Sequence, residues 1–291
     1  MENSKTWRDI TGLSAAYLSA HGVENAETCC EWLMARLLGC GHGTLAAQMP
    51  GIPRPAHVEA MRRGVARLAA HEPLQYVLGE WDFRYLTLKT DSRALIPRPE
   101  TEELVSRVLS SRYVSLPRPV VVDVGCGSGC ITLALADEWP EGSNPVFAGV
   151  DISPGAVALA RENAERTGLA DRATFAVADG LDEFDPRSID VIVSNPPYIP
   201  SAECERLDEN VRRFEPRLAL DGGEDGLAFY DRYLGDAINV LKPGGGVFFE
   251  IGHDQGPALA RLFSEYGFED ARIEKDWAGN DRYAYAALPD Q

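Results

Sequence analysis

No stretch of this 291-residue chain reaches the roughly 18 consecutive apolar residues that a membrane-spanning helix needs, so no membrane segment is expected. The first residues, Met1-Glu2-Asn3-Ser4-Lys5, lack the basic-then-apolar pattern of a secretory leader, and a cytoplasmic location is the expectation. Cysteine is sparse and unpatterned. Cys29, Cys30, Cys40, Cys126, Cys130 and Cys204 have no zinc-like spacing, and the five histidines fall far from them. Free thiols in a reducing compartment, and no metal, are expected. Positive charge is short as well: 28 Lys and Arg against 45 Asp and Glu leave a net charge of −17. Gripping phosphates requires clustered cations, so direct nucleic-acid binding is disfavoured. A small-molecule enzyme, or one acting on a basic macromolecule, fits this balance. Repeats and low-complexity tracts are absent too.

The chain is long for one domain. Helical spacing runs from Trp7 to about His71, with apolar Trp32, Leu33, Ala35, Leu37 and Leu38 before a stop at Gly39, and a further helix opens at Pro55. Glu72-Pro73 breaks the pattern. The expected division is a helical domain over 1–72, a linker with a β-hairpin over 73–95 (alternation at Phe83, Tyr85, Leu86 and Leu88), and an α/β domain over 96–291. The segment 95–102 is held extended by two prolines until Thr101, or a neighbour, caps a helix.

From residue 120 strand and helix alternate. Strands are expected at 120–124, 146–150, 173–178, 189–194 and 247–251, with a late antiparallel strand at 282–287. Helices are expected at 128–137, 154–167 (Ser153 as cap, Gly168 as stop), 226–241 (stopped by Lys242-Pro243-Gly244-Gly245) and 257–266. The fold class is a doubly wound, Rossmann-like α/β sheet that binds its ligand at the carboxyl ends of the strands.

Three features fall on consecutive strand ends. Gly125, Gly127 and Gly129, with Cys126 and Ser128 between them, allow a sharp turn and close approach of backbone to ligand. A dinucleotide fingerprint would need glycine or alanine where Cys130 stands, so a ligand with an amino-acid end against the loop suits better. Asp151 can accept hydrogen bonds from both ribose hydroxyls, and Asp179 with Gly180 can meet an adenine amino group. Each feature alone is also compatible with a turn or a helix cap.

The fourth strand runs into Asn195-Pro196-Pro197-Tyr198. An amide nitrogen is a poor nucleophile, because its lone pair is delocalised into the carbonyl. Alkylating it calls for acceptors that hold both N–H hydrogens. The Asn195 side-chain oxygen and the Pro196 carbonyl supply two, the prolines stiffen them, and the Tyr198 ring can fix the amide plane. No nucleophile, metal or strong base is needed beside a sulfonium methyl donor. A simple turn is the competing meaning of Asn-Pro-Pro.

These residues resemble the class I S-adenosylmethionine-dependent methyltransferases, and more closely the release factor glutamine methyltransferase family. The likeness extends over Pro73-Leu74-Gln75-Tyr76 with Gly79, residues 96–102, the glycine loop, residues 194–200, Arg213-Phe214-Glu215-Pro216, residues 219–223 and Asp281-Arg282. It implies a seven-stranded methyltransferase sheet with an N-terminal substrate-docking domain. Gly125 to Gly129, Asp151, Gly180 and Asn195 would contact S-adenosylmethionine, and Asn195, Pro196, Pro197 and Tyr198 would hold the target glutamine. The partner implied is a class 1 peptide release factor, methylated in its Gly-Gly-Gln motif by a monomeric enzyme. The family often has an aromatic residue where Gly180 stands. Arg98, Thr101 and Glu102 are either a wall near the donor's amino-acid end or a helix start with an exposed ion pair. A ribosomal-protein glutamine methyltransferase, an N6-adenine methyltransferase acting on a flipped base, and a non-catalytic S-adenosylmethionine-binding protein are the alternatives.

Overall fold

A computed structural model gives the architecture; it describes residues 5–290. The chain forms two compact units, one of residues 1–80 with 208–214 and the other of residues 81–207 with 215–291.

The first unit contains helices α1 (Trp7–Ala20), α2 (Ala26–Leu38), α3 (Leu45–Gln48), α4 (Pro55–Ala69) and α5 (Leu74–Leu78). Thr6 caps α1 with a reciprocal capping box to Asp9, and Gly39 ends α2 at φ +62°, where other residues are strained. Trp7, Leu18, Leu33, Met34, Met61 and Leu68 are buried.

The second unit opens with a two-stranded hairpin, β1 (Glu80–Phe83) and β2 (Leu86–Lys89), then α6 (Pro99–Leu109). The helix cap is Arg98, with Pro99 in the first turn. Thr101 lies inside the helix and is buried, so the expected cap at Thr101 is corrected to a buried polar contact. The sheet and its helices continue as β3 (Val120–Val124), α7 (Cys130–Glu138), β4 (Val146–Asp151), α8 (Pro154–Thr167), β5 (Ala173–Val177), β6 (Ile189–Ser194), α9 (Ser201–Cys204), α10 (Glu209–Phe214), α11 (Ala228–Val240), β7 (Leu241–Glu250), α12 (Gly256–Glu265), β8 (Glu269–Lys275) and β9 (Asp281–Ala287). The short helix α10 groups with the first unit.

Seven strands stand in the order β5-β4-β3-β6-β7-β9-β8, parallel except that β9 is antiparallel to both of its neighbours. Separate apolar clusters cover the two faces. Leu104, Leu133 and Phe147 sit in one, and Tyr230, Phe249 and Phe263 in the other. Every residue of β6 is buried, as a strand covered on both faces must be.

Two expectations are corrected. Lys242-Pro243-Gly244-Gly245 lies within β7. Ile189 pairs with Leu241 and Val191 with Gly246, so the four residues bulge opposite Asp190. Tyr113 donates to the Gly244 carbonyl at 2.9 Å, and Gly244 N–H donates to Pro289 O at 3.0 Å, so packing holds the bulge in the sheet. Strand β8 has no counterpart among the expected elements. It is an edge strand of sequence EDARIEK, exposed along nearly its whole length, and carries no period-two apolar signal.

Candidate functional site

Strand order places the site. The chain adds β4 and β5 on one side of β3, then returns to lay β6 on the other, so the crevice opens at the carboxyl ends of β3 and β6. Register sharpens this. Asp123 pairs with Gly149 on one side and Val193 on the other, so Gly125, Asp151 and Asn195 each lie two residues beyond one row. Asp151 pairs in turn with Val177, which puts Asp179 two residues past the next row.

A cavity of about 290 Å³ opens there. Gly125, Cys126, Gly127, Ser128, Asp151, Asp179, Gly180, Asn195 and Pro197 line it; Gly129, Pro196 and Tyr198 do not. All three loop glycines have positive φ (+73°, +54° and +80°), which explains why glycine recurs at alternate positions. A Cβ at Gly129 would come within 3.1 Å of Ala160 and Phe175, so this glycine serves packing beneath the loop. Gly125 and Cys126 both donate to Val150 O, at 2.8 and 3.0 Å, and Ser194 Oγ donates to Val124 O at 2.5 Å. These bonds tie the three strand ends together.

Asp151 does more than face the cavity. Its Oδ2 accepts from Gly127 N and its Oδ1 from Ser153 N, each at 2.9 Å, so it braces the glycine loop and the entry to α8. Burial raises its pKa, and those two N–H groups oppose the shift. Asp123 is fully buried. Its Oδ2 accepts from Thr132 Oγ1 at 2.7 Å, and its Oδ1 has no partner among the described residues. Burial pushes this acid up to about 7. The glycine cradle and the cavity-lining carboxylate of Asp151 fit a nucleoside ligand that the backbone approaches closely, while Asp123 lies beneath the loop and does not line the cavity.

Asp179 Oδ1 accepts from Arg232 Nη1 at 2.6 Å, so this cavity-lining acid is paired with a cation that also lines the cavity. At Gly180 φ is +83°, and a Cβ would approach Asp236 Oδ2 at 3.0 Å and Arg232 Nη2 at 3.2 Å. Any side chain at this φ would be strained and would have to displace those two side-chain ends. Ile152, Leu218 and Phe229 give the cavity its apolar lining instead.

The other wall comes from the segment before α6. Arg98 pairs with the buried Glu215 at 2.5 Å, and the same carboxylate accepts the Ile96 N–H at 3.1 Å, pinning residues 96–98 over the cavity. Glu102 accepts from Arg84 N at 3.0 Å and belongs to the hairpin, not to the cavity. Thr101 Oγ1 donates to Glu250 Oε2 at 2.7 Å and accepts from Asn195 Nδ2 at 3.0 Å. Tyr198 Oη is 3.5 Å from Glu250 Oε1 and from Arg282 Nη1, the outer limit for a hydrogen bond. The prolyl turn is backed by Ile199, whose N–H donates to Leu220 O at 3.0 Å and whose carbonyl accepts from Gly222 N at 2.8 Å. Gln255 Nε2 donates to Tyr198 O at 3.0 Å.

Glu250 and Arg232 were missed in the sequence, and Glu215 was noted only as part of Arg213-Phe214-Glu215-Pro216, with no role assigned. One signal was available. Glu250 ends a buried apolar strand (Val247-Phe248-Phe249), in the way that Asp151 ends β4. The cysteines are free thiols among the described residues, and burial pushes Cys130 up to about 12. No described helix is long and apolar enough to cross a membrane.

Fold and site together define an S-adenosylmethionine-dependent methyltransferase. Residues 117–277 match a family model described as a methyltransferase domain, and residues 13–79 one described as PrmC N-terminal domain. The release factor glutamine methyltransferase of Geobacter sulfurreducens is 40% identical over 97% of each chain. That of Moorella thermoacetica is 39% identical over 95% of this chain and 96% of its own. A solved methyltransferase from Pyrococcus furiosus shares the fold at a TM-score of 0.50 and 16% identity, over 77% of this chain and 97% of that one. The chain belongs to the release factor glutamine methyltransferase family.

Proposed function

We propose that this chain methylates the side-chain amide nitrogen (N5) of the glutamine in the Gly-Gly-Gln motif of class 1 peptide release factors, and thereby modulates translation termination. The observation that carries this reading is the Asn195-Pro196-Pro197-Tyr198 turn, set one strand away from the glycine loop with the Asn195 carboxamide anchored on Thr101. S-adenosylmethionine, when bound, supplies an electrophilic methyl carbon on a sulfonium. Gly125 to Ser128 would hold its amino-acid end, with Gly129 packed beneath the loop, Asp151 would hold its ribose, and Asp179 with Gly180 its base.

The protein's own residues orient the acceptor. Asn195 Oδ1 takes one hydrogen of the glutamine NH₂ and the Pro196 carbonyl takes the other. Holding both favours the localised lone pair that the transition state needs over the delocalised ground state. Tyr198 fixes the carboxamide plane, and the two prolines remove backbone freedom that would otherwise be lost on binding. As the N–C bond forms, the S–C bond of the donor would break to leave a neutral thioether, and one of the two held N–H protons would leave to solvent. Catalysis is then orientation and electrostatics, with no covalent enzyme intermediate.

The helical first unit serves as a docking domain in this reading, and the −17 charge suits a basic protein partner rather than a nucleic acid. The test is incubation of the protein with tritiated S-adenosylmethionine and a release factor. Label is expected in the native factor and absent from a factor whose motif glutamine is replaced by alanine. DNA, RNA and ribosomal proteins are expected to stay unlabelled. Equal labelling of the two factors rejects the assigned target.

A further inference from the structure

A primary carboxamide has two faces of nearly equal size, one an acceptor and one a donor, and shape alone does not decide which faces a ligand. Holding a glutamine NH₂ group needs the Asn195 oxygen, not its nitrogen, toward the substrate.

The structure contains a device that decides the matter. Glu250 is almost fully buried at the end of β7, and its Oε2 lies 2.7 Å from Thr101 Oγ1. An ionised carboxylate only accepts, so the single hydroxyl proton of Thr101 is committed to Glu250. Thr101 Oγ1 then has only lone pairs for its other neighbour, Asn195 Nδ2 at 3.0 Å. The Asn195 NH₂ group must face Thr101, and its oxygen lies on the opposite side of the carboxamide. Tyr230 Oη donates to Glu250 O at 2.8 Å and Arg282 Nη1 donates to the neighbouring Ile251 O at 3.0 Å, so the strand end that carries the carboxylate is itself fastened.

We propose that Glu250, acting through Thr101, is a positioning residue that sets the polarity of the Asn195 carboxamide and so makes its oxygen the acceptor for the substrate's amide hydrogen. This inference rests on the proposed substrate-holding role of Asn195. A second consequence comes from burial, which pushes Glu250 up to about 7. The groups facing it are Glu100 from α6, Cys130 from α7, Tyr198 from the prolyl turn, Tyr230 from α11, and Arg282 and Tyr283 from β9. Once protonated, Glu250 can donate to Thr101, the hydroxyl proton is released toward Asn195, and the inverted carboxamide becomes available. Activity should fall as the pH drops through about 7.

The test pairs turnover with a readout that needs no substrate. Thr101→Val is expected to lower turnover of a release factor on the order of tenfold, the worth of one hydrogen bond, a larger loss than any in donor affinity, since Thr101 also lines the cavity. Thr101→Ser restores the hydroxyl and should recover most of the activity. Glu250→Gln, which can donate where the carboxylate cannot, should fall between them. In nitrogen-15 NMR of the whole protein, the Asn195 side-chain NH₂ should exchange slowly with water in the native and Thr101→Ser forms and rapidly in Thr101→Val. The acid limb of the pH profile should disappear in Thr101→Val. The inference is overturned by slow exchange that persists in Thr101→Val, or by Thr101→Ser losing as much activity as Thr101→Val, which would make the role one of packing. If the native protein labels no release factor, the substrate assignment fails, and the exchange measurement still decides the role of Glu250.

Discussion

Gly222 tests whether the prolyl turn works through its position. This buried glycine backs the turn, and a Cβ built on it would lie 2.7 Å from Pro197 O, 2.9 Å from Tyr198 Cα and 2.9 Å from Gly226 Cα. Ordinary carbon contacts are about 3.5–4.0 Å, so Gly222→Ala must displace the backbone of the turn by roughly 0.5–1 Å. None of the three atoms is the end of a flexible side chain that could move aside. Overpacking of this kind costs about 1–3 kcal/mol in stability. A shift near 1 Å at a reacting centre costs about a hundredfold in rate. The donor side is disturbed less than the turn, because the glycine loop and Asp151 stand at the ends of β3 and β4, whereas the atoms nearest Gly222 lie in the turn after β6 and at Gly226 and only Pro197 among them borders the cavity. Gly222→Ala should therefore unfold a few degrees earlier, bind S-adenosylmethionine with nearly native affinity by calorimetry, and methylate a release factor about a hundredfold more slowly. A folded Gly222→Ala protein with native turnover would show that the turn tolerates displacement, and the orientation argument would fail.

Three further outcomes are expected. Asn195→Ala should abolish most methyl transfer while leaving donor affinity largely intact; calorimetry showing both collapse together would assign Asn195 mainly to the donor. Asp151→Ala should weaken donor binding by about two orders of magnitude, the loss of two charge-assisted hydrogen bonds, and should also lower stability because Gly127 and Ser153 lose their acceptor; unchanged affinity removes Asp151 from the ribose role. Glu250→Gln should change the pH dependence of folding. The acid's folded pKa is raised from 4.5 to about 7, so its contribution to stability is present below pH 4.5 and is lost as the pH rises to about 7. The variant should lack that slope, gaining up to about 3 kcal/mol over the native protein at pH 8 relative to pH 4 in urea titrations, and a difference that does not vary with pH refutes the shift.

The parts of the fold that were legible in the sequence are those where local and tertiary demands agree. Strand β6 reads as an apolar run because both of its faces are covered. Helix α8 is legible at both ends, since Ser153 accepts from Ala156 N at 3.2 Å, Pro154 fills the first turn, and Gly168 takes φ +74°. The glycine loop, Asp151 and Asn195 could be read as one site because a parallel sheet sets its strand ends in a row. The hidden parts depended on pairing across the chain. Lys242-Pro243-Gly244-Gly245 has the chemistry of a stop, and only the bond to Tyr113 and the contacts with residues 288 and 289 show why the strand passes through it. Thr101 is close to a helix start, where a threonine usually caps. Its partner Glu250 lies 149 residues away, beyond what local spacing can reveal.

Burial of Glu250 works against folding at neutral pH, because a carboxylate taken from water is stabilised only by the groups around it. Packing does not require the charge, since glutamine has nearly the same shape and would be satisfied by the same neighbours. The two side chains differ in that a carboxylate cannot donate a hydrogen bond and a carboxamide can. That difference has no use in the core, but it determines which way the proton of Thr101 points and therefore which atom of Asn195 meets the substrate. The catalytic half of the molecule thus gives up stability at one position to hold a polarity two hydrogen bonds away, and stability and turnover should move in opposite directions when that carboxylate is neutralised.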